Sequence, residues 1–313
     1  MERHFGSLMQ SRWDSGFFSC VGPDTEEERL PSPFACRDST ENGLFYFNEG
    51  IVTAVGDIVG AIKPNAAFYE AEGDAGWRAL RRTIQMTNHH APRVPVILDG
   101  KRADIGNTNR GYVRMAFEWL GVDAITVHPY LGAEALEPFL DRDDKGIIVL
   151  CRTSNPGAKE FQDRLVLCED HELEGMLLEP LADLVQALGW RKVENFTILP
   201  LYQLVALRVA HHWNTKKNCW LVVGATFPDE LKTVRRLVGD RVGLLIPGVG
   251  KQGGDAATAA ANGADSMGWG FAINSSSAVI YASAGYSFAI DAHNKVVDLN
   301  HQIREGLTRR RSS

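Results

Sequence analysis

Short apolar runs of strand length recur along the chain at 17–21, 58–65, 94–98, 123–128, 146–152, 220–226, 243–250 and 263–268. Between them the apolar period widens to three or four residues, which predicts helices at 42–55, 66–87, 108–120, 228–238 and 255–261. The strands are mostly continuous rather than alternating in hydrophobicity, as a sheet covered on both faces requires. Eight such strands alternating with helices predict a parallel (β/α)8 TIM barrel, read as a single domain over 1–313. A doubly wound open sheet is the alternative, but no G-x-G-x-x-G follows the first strand. One connection, 155–218, is too long for a simple loop. Its polar stretch 158–174 reads as a lid, and helices are predicted at 177–188 and 201–213. Residues 305–313, with Arg309, Arg310 and Arg311, read as a polar solvated tail.

Composition narrows the class. Of 313 residues, 44% are hydrophobic and 23% charged, an ordinary globular balance with room for a large core. The net charge of -6 gives no global basic field, so nucleic acid is not an expected partner. No run reaches about 18 apolar residues, so no membrane span is predicted, and 1–18 lacks the apolar centre of a signal peptide. Five cysteines (Cys20, Cys36, Cys151, Cys168, Cys219), odd in number and without a C-x-x-C pair, favour free thiols in a reducing cytoplasm.

Candidate chemistry concentrates in one stretch. The strand opening at Val94 closes with Asp99-Gly100-Lys101, and Asp104 and Thr108 follow. In an extended chain residues two apart project together, so Asp99 and Lys101 should face the same way. Asp104 and Thr108, four apart, should share a face of the helix that follows. In a barrel the reactive groups sit at the carboxyl ends of strands. Those ends here supply Asp24, Lys63, Asp99, Lys101, His128, Thr153, Ser154 and the glycine-rich 248–254 loop. Alternating carboxylates and ammoniums favour the charged form of one another. Lys101 is therefore expected to be an ammonium suited to delivering a proton, not a Schiff-base amine.

These residues carry a specific resemblance. Asp99-Gly-Lys101-Arg-Ala-Asp104-Ile-Gly-Asn-Thr108 resembles the signature of the orotidine 5′-phosphate decarboxylase family. Five further segments match in order: Cys20-Val-Gly-Pro23-Asp24, Lys63-Pro-Asn-Ala-Ala-Phe-Tyr-Glu, Thr153-Ser154-Asn-Pro-Gly, Val223-Gly-Ala-Thr-Phe-Pro and Ile246-Pro-Gly-Val-Gly-Lys-Gln252-Gly253-Gly. Together they resemble the longer bacterial branch. The resemblance implies conversion of orotidine 5′-monophosphate to uridine 5′-monophosphate, in pyrimidine nucleotide synthesis, with no metal or cofactor. It casts Lys101 as donor of the proton that replaces the carboxylate at C6, held by Asp99 and Lys63, with Lys63 and Asp24 near the ribose. It also implies a homodimer in which Asp104 and Thr108 enter the neighbouring subunit's site. Ser154 would meet the pyrimidine edge, and Gln252, with the backbone at Gly253, the phosphate.

Two positions depart from the pattern. Ser277 stands where the family carries an arginine that grips phosphate bidentately, a geometry serine cannot reproduce. Pro23 stands where leucine is usual and lacks a backbone donor beside Asp24. Two other functions compete with the main reading: a related magnesium-dependent barrel acting on sugar-acid phosphates, and a nucleotide-binding barrel with weakened or lost catalysis. His89-His90 and His211-His212 lack a third ligand at metal spacing and read as surface or helix-end residues. Cys20 and Cys151 read as structural thiols, and the scattered tryptophans as packing.

Overall fold

The computed structural model describes residues 3–35, 38–250 and 253–311, so Cys36 and Gln252 lie outside the described residues. Its strands, in chain order, are β1 (Ser19–Val21), β2 (Ala61–Ile62), β3 (Ile97–Arg102), β4 (Ala124–Val127), β5 (Gly146–Arg152), β6 (Leu165–Glu169), β7 (Arg191–Val193), β8 (Phe196–Pro200), β9 (Cys219–Val223), β10 (Gly243–Ile246) and β11 (Phe271–Ser275). Eight form one sheet in the order β2-β1-β11-β10-β9-β5-β4-β3, and every pairing in it is parallel. Two backbone hydrogen bonds join its ends, Ile62 N–H to the Pro95 carbonyl (3.0 Å) and Asp99 N–H to the Pro64 carbonyl (2.9 Å). The predicted (β/α)8 barrel is thus nearly closed, and its seam runs between Lys63 and Asp99.

The interior is filled in two layers. Cys20, Ala61, Ile97, Ala124, Ile148, Trp220, Leu245 and Ala272 point into the barrel, while a larger cluster packs the helices against its outer face. The amino-proximal helix Phe5–Asp14, absent from the predicted set, plugs the barrel with Phe5 and Met9. Phe5 meets Trp220 edge-on at 5.2 Å and Trp13 stacks on it at 5.7 Å. Gly243 is required beside that indole, because a Cβ there would lie 2.2 Å from Trp220.

The eighth predicted strand, 263–268, is displaced in the structure. That stretch is a turn, and the strand is Phe271–Ser275. Asp265 makes the turn: its carboxylate accepts from Met267 N–H (3.0 Å) and Trp269 N–H (2.8 Å). The buried Arg235 then ties both sides of it, donating to the carbonyls of Gly263, Gly239, Val242 and Gly270 at 2.6–3.0 Å. Burial pushes the pKa of that guanidinium down to about 10. Arg235→Met should cost roughly 2–4 kcal/mol in denaturant unfolding, because it strands several carbonyls that water does not reach.

Other elements are subdivided rather than moved. The 66–87 helix is two, Ala66–Glu70 and Gly73–His90, broken where Gly73 takes φ 55°. The 108–120 helix starts at Gly106 and widens into a π-turn over Arg114–Leu120. Within 155–218, the polar stretch expected as a lid contains β6, which joins β8 and β7 in an antiparallel sheet. The expected tail at 305–313 is helical to Arg311, as the end of Phe288–Arg311, and Arg310 bonds the Ala264 carbonyl. No helix among the described residues is long and apolar enough to cross a membrane.

Candidate active site

The carboxyl ends of the barrel strands open into a cavity of about 590 Å³. Asp24, Lys63, Asp99, Lys101, Thr153, Ser154 and Ser277, all singled out in the sequence, line it. At its centre Asp99 accepts from two lysines, Lys63 Nζ at 2.9 Å and Lys101 Nζ at 2.6 Å, one on each carboxylate oxygen. Thr126, at the end of β4, donates its hydroxyl to Asp99 Oδ1 (2.9 Å) and accepts the Lys101 N–H (2.9 Å). This second bond stabilises a backbone that the extended-chain expectation did not include. Lys101 has φ 45°, beside a register shift in β3, and a left-handed non-glycine residue costs of order 1–3 kcal/mol.

Burial and charge oppose one another at this centre, and charge prevails. Burial alone would raise the Asp99 pKa, but the Lys63 and Lys101 ammoniums hold it well below the usual carboxylate range. Burial alone would lower the Lys63 pKa, yet Asp99 and Asp24 hold it above the usual lysine range. Stability from the lowered Asp99 is present above its unfolded pKa and lost as pH falls through the folded one. Stability from the raised Lys63 is present below its unfolded pKa and lost as pH rises through the folded one. Both contributions therefore persist between about pH 5 and 9. A pH profile of kcat should show no inflection from this pair inside that window; an inflection that Asp99→Asn removes would contradict the assignment.

Asp24 is fixed despite Pro23. The proline follows the end of β1, where no ladder donor is lost, and its carbonyl accepts the Tyr69 hydroxyl (2.5 Å). Tyr69 belongs to a buried polar cluster in which Asn48 Nδ2 donates to Tyr69 Oη (2.9 Å) and Thr83 Oγ1 (3.0 Å). The Asp24 carboxylate then accepts Asn65 N–H at 3.0 Å. Ser154 is seated by a close approach: a Cβ on Gly224 would lie 2.7 Å from the Ser154 Cα.

Several expected residues stand apart from this cavity. Asp104 precedes the helix that begins at Gly106, so it does not share a helical face with Thr108. Its carboxylate accepts from Ile105 N–H (2.7 Å), and neither residue lines the cavity. Gly253, exposed at φ 86°, bonds the Gly250 carbonyl (2.9 Å) outside the cavity lining. His128 also lies outside the lining, its Nδ1 accepting Tyr130 N–H at 3.3 Å. Thr126, two residues earlier on the same side of the strand, takes the place at the site. Arg29, Glu26, Asn65 and Gln162 line the cavity too and were not singled out in the sequence. Gln162 Oε1 accepts Thr153 N–H (2.8 Å), pinning the start of the long connection over the mouth. Cys20 and Cys151 are buried, and burial pushes the Cys20 thiol up to about 12, far from nucleophile range.

Comparison with known proteins places the barrel in a family. Residues 48–177 match the model of the orotidine 5′-phosphate decarboxylase / HUMPS family. The orotidine 5′-phosphate decarboxylase of Herpetosiphon aurantiacus is 43% identical over 278 residues, covering 88% of each chain. The Leishmania donovani OMP decarboxylase structure superposes with a TM-score of 0.71 at 29% identity, over 95% of this chain and 99% of that one. Leishmania donovani UMP synthase gives a TM-score of 0.74 at 30% identity, over 95% of this chain but only 57% of that longer one. With a relative this similar over nearly its whole length, and with the same barrel beneath it, this chain belongs to the orotidine 5′-phosphate decarboxylase family.

Proposed function

We propose that the protein decarboxylates orotidine 5′-monophosphate to uridine 5′-monophosphate, with Lys101 donating the proton that replaces CO2 at C6. The observation that carries this reading is the Lys63–Asp99–Lys101 array, set at the carboxyl ends of barrel strands inside a cavity of nucleotide size. Loss of CO2 leaves an electron pair on a ring carbon with no cofactor to absorb it. The fixed ammonium of Lys101 stabilises that charge as it develops and then quenches it by protonation. Asp99 and Lys63 hold the ammonium in place, so little reorganisation is needed at the moment of reaction. Asp24 and Lys63 are assigned to the ribose and Ser154 to the pyrimidine edge.

The phosphate falls to the loops after the seventh and eighth barrel strands, where barrels commonly bind it. Gly253 belongs to the first of these loops and Ser277 to the second, and Gln252 directly precedes Gly253 in the sequence. Because the phosphate does not react, its binding energy is free to organise the site and exclude water. The protein is further assigned as a cytoplasmic homodimer. Asp104 and Thr108, both outside their own cavity, would then reach the partner's site. Sedimentation should give a dimer, and Asp104→Ala mixed with Lys101→Ala should recover about a quarter of sites intact if the sites are shared.

The direct test follows loss of the orotate chromophore in the ultraviolet. The proposal expects turnover of orotidine monophosphate that survives a chelator; turnover only of sugar-acid phosphates with magnesium would overturn it. Ser277→Arg should lower KM for the nucleotide several-fold at little change in kcat, since a bidentate guanidinium adds phosphate affinity. Steady-state kinetics on the two proteins checks this.

A further inference from the structure

Beyond that reading, and resting on it for the identity of the ligand, we infer that Arg29 supplies the cation that binds the substrate's 5′-phosphate. The cations among the described lining residues are Arg29, Lys63 and Lys101. Lys63 and Lys101 both bond Asp99, so recruiting either for a dianion would dismantle the array that holds the proton donor. Arg29 stands outside that array.

Its position is set by the loop that carries Ser277. The Arg29 guanidinium carbon lies 3.7 Å from the centre of the Tyr281 ring. Tyr281 directly follows the Ser277–Ile280 turn, and its N–H reaches the Ser277 carbonyl at 3.4 Å. Its hydroxyl accepts Glu26 N–H at 2.7 Å, so the 26–29 segment is clasped to the loop after the eighth barrel strand. Stacking on the ring fixes the guanidinium plane and reduces the entropy lost when it takes a ligand. The side chain remains 36% exposed.

The fork has donors to spare. Arg29 Nη1 donates to Glu26 Oε1 at 2.5 Å, while a guanidinium carries five N–H donors. Glu26 also lines the cavity, and its carboxylate opposes a dianion while it steadies the arginine. The pair thus sets both the affinity for phosphate and its limit: Arg29 attracts, and Glu26 must yield or rotate when the nucleotide enters.

The experiment measures binding of uridine 5′-monophosphate and of uridine by calorimetry to the wild type and to Arg29→Ala, Arg29→Lys and Glu26→Gln. Arg29→Ala should weaken the nucleotide by roughly ten- to a hundred-fold and leave uridine unchanged. Arg29→Lys should recover part of the loss, and Glu26→Gln should tighten the nucleotide alone. Unchanged nucleotide affinity in both Arg29 variants would overturn the inference. So would equal weakening of nucleotide and nucleoside, which would mark a structural role. Wild-type protein that prefers the nucleotide yet fails to turn over orotidine monophosphate would refute the catalytic reading while leaving Arg29 judged by these affinities.

Discussion

Lys101→Ala is expected to lower kcat by at least about 10⁴-fold, since it removes at once the proposed proton donor and the charge that would face the departing electron pair. The barrel should survive the change. Lys101 is half exposed and contributes no core packing, and its N–H bond to Thr126 is made by the backbone. Losing the side chain even relaxes Asp99 by one partner rather than stranding a cation. Near-normal Tm with turnover at background is therefore the signature to look for. A variant that retained a tenth of its activity would remove Lys101 from the reaction.

Asp99→Asn is expected to be the second most damaging change, by roughly 10²- to 10³-fold in kcat, with a different signature. Asp99 is the one acceptor shared by both lysines and by Thr126. An amide offers a single acceptor oxygen and introduces two donors, one of which would point at an ammonium. Lys63 is almost fully buried, and burial already acts to lower its pKa; the negative charge of Asp99 does most to oppose that. Without the carboxylate its pKa should fall, so stability of the variant should rise with pH in the alkaline range where the wild type is flat. Thermal unfolding of both proteins across pH tests this. A flat, parallel pair of curves would mean that Lys63 does not depend on Asp99.

The parts of the fold that the sequence announced are those whose signal is local. β9 is an unbroken apolar run and β5 is one as far as Cys151, and both strands lie close to their expected bounds. β11 lies away from its expected position because Phe271–Ser275 ends in Asn-Ser, polar groups that are buried only through neighbours far along the chain. The plugging helix gives a weak signal: Phe5, Met9 and Trp13 recur at helical spacing, but in a ten-residue segment that also carries Ser7, Gln10, Ser11, Arg12 and Asp14. In the site, Asp99 and Lys101 declared themselves as strand-end charges two residues apart. Thr126, Arg29 and the Tyr69–Asn48–Thr83 cluster did not, because their importance comes from partners tens to hundreds of residues away. Asp104 and Thr108 owe their proposed role to family resemblance, and in one copy of the barrel neither lines its own cavity.

Whether the Lys101 ammonium meets the reacting carbon is a question of geometry, and a crystal structure of the protein with bound uridine 5′-monophosphate answers it most directly. Lys101 Nζ should lie within about 3–3.5 Å of the pyrimidine C6, still bonded to Asp99. An amine turned from the ring, or a nucleotide seated with C6 remote from it, would contradict the assignment of Lys101 as proton donor.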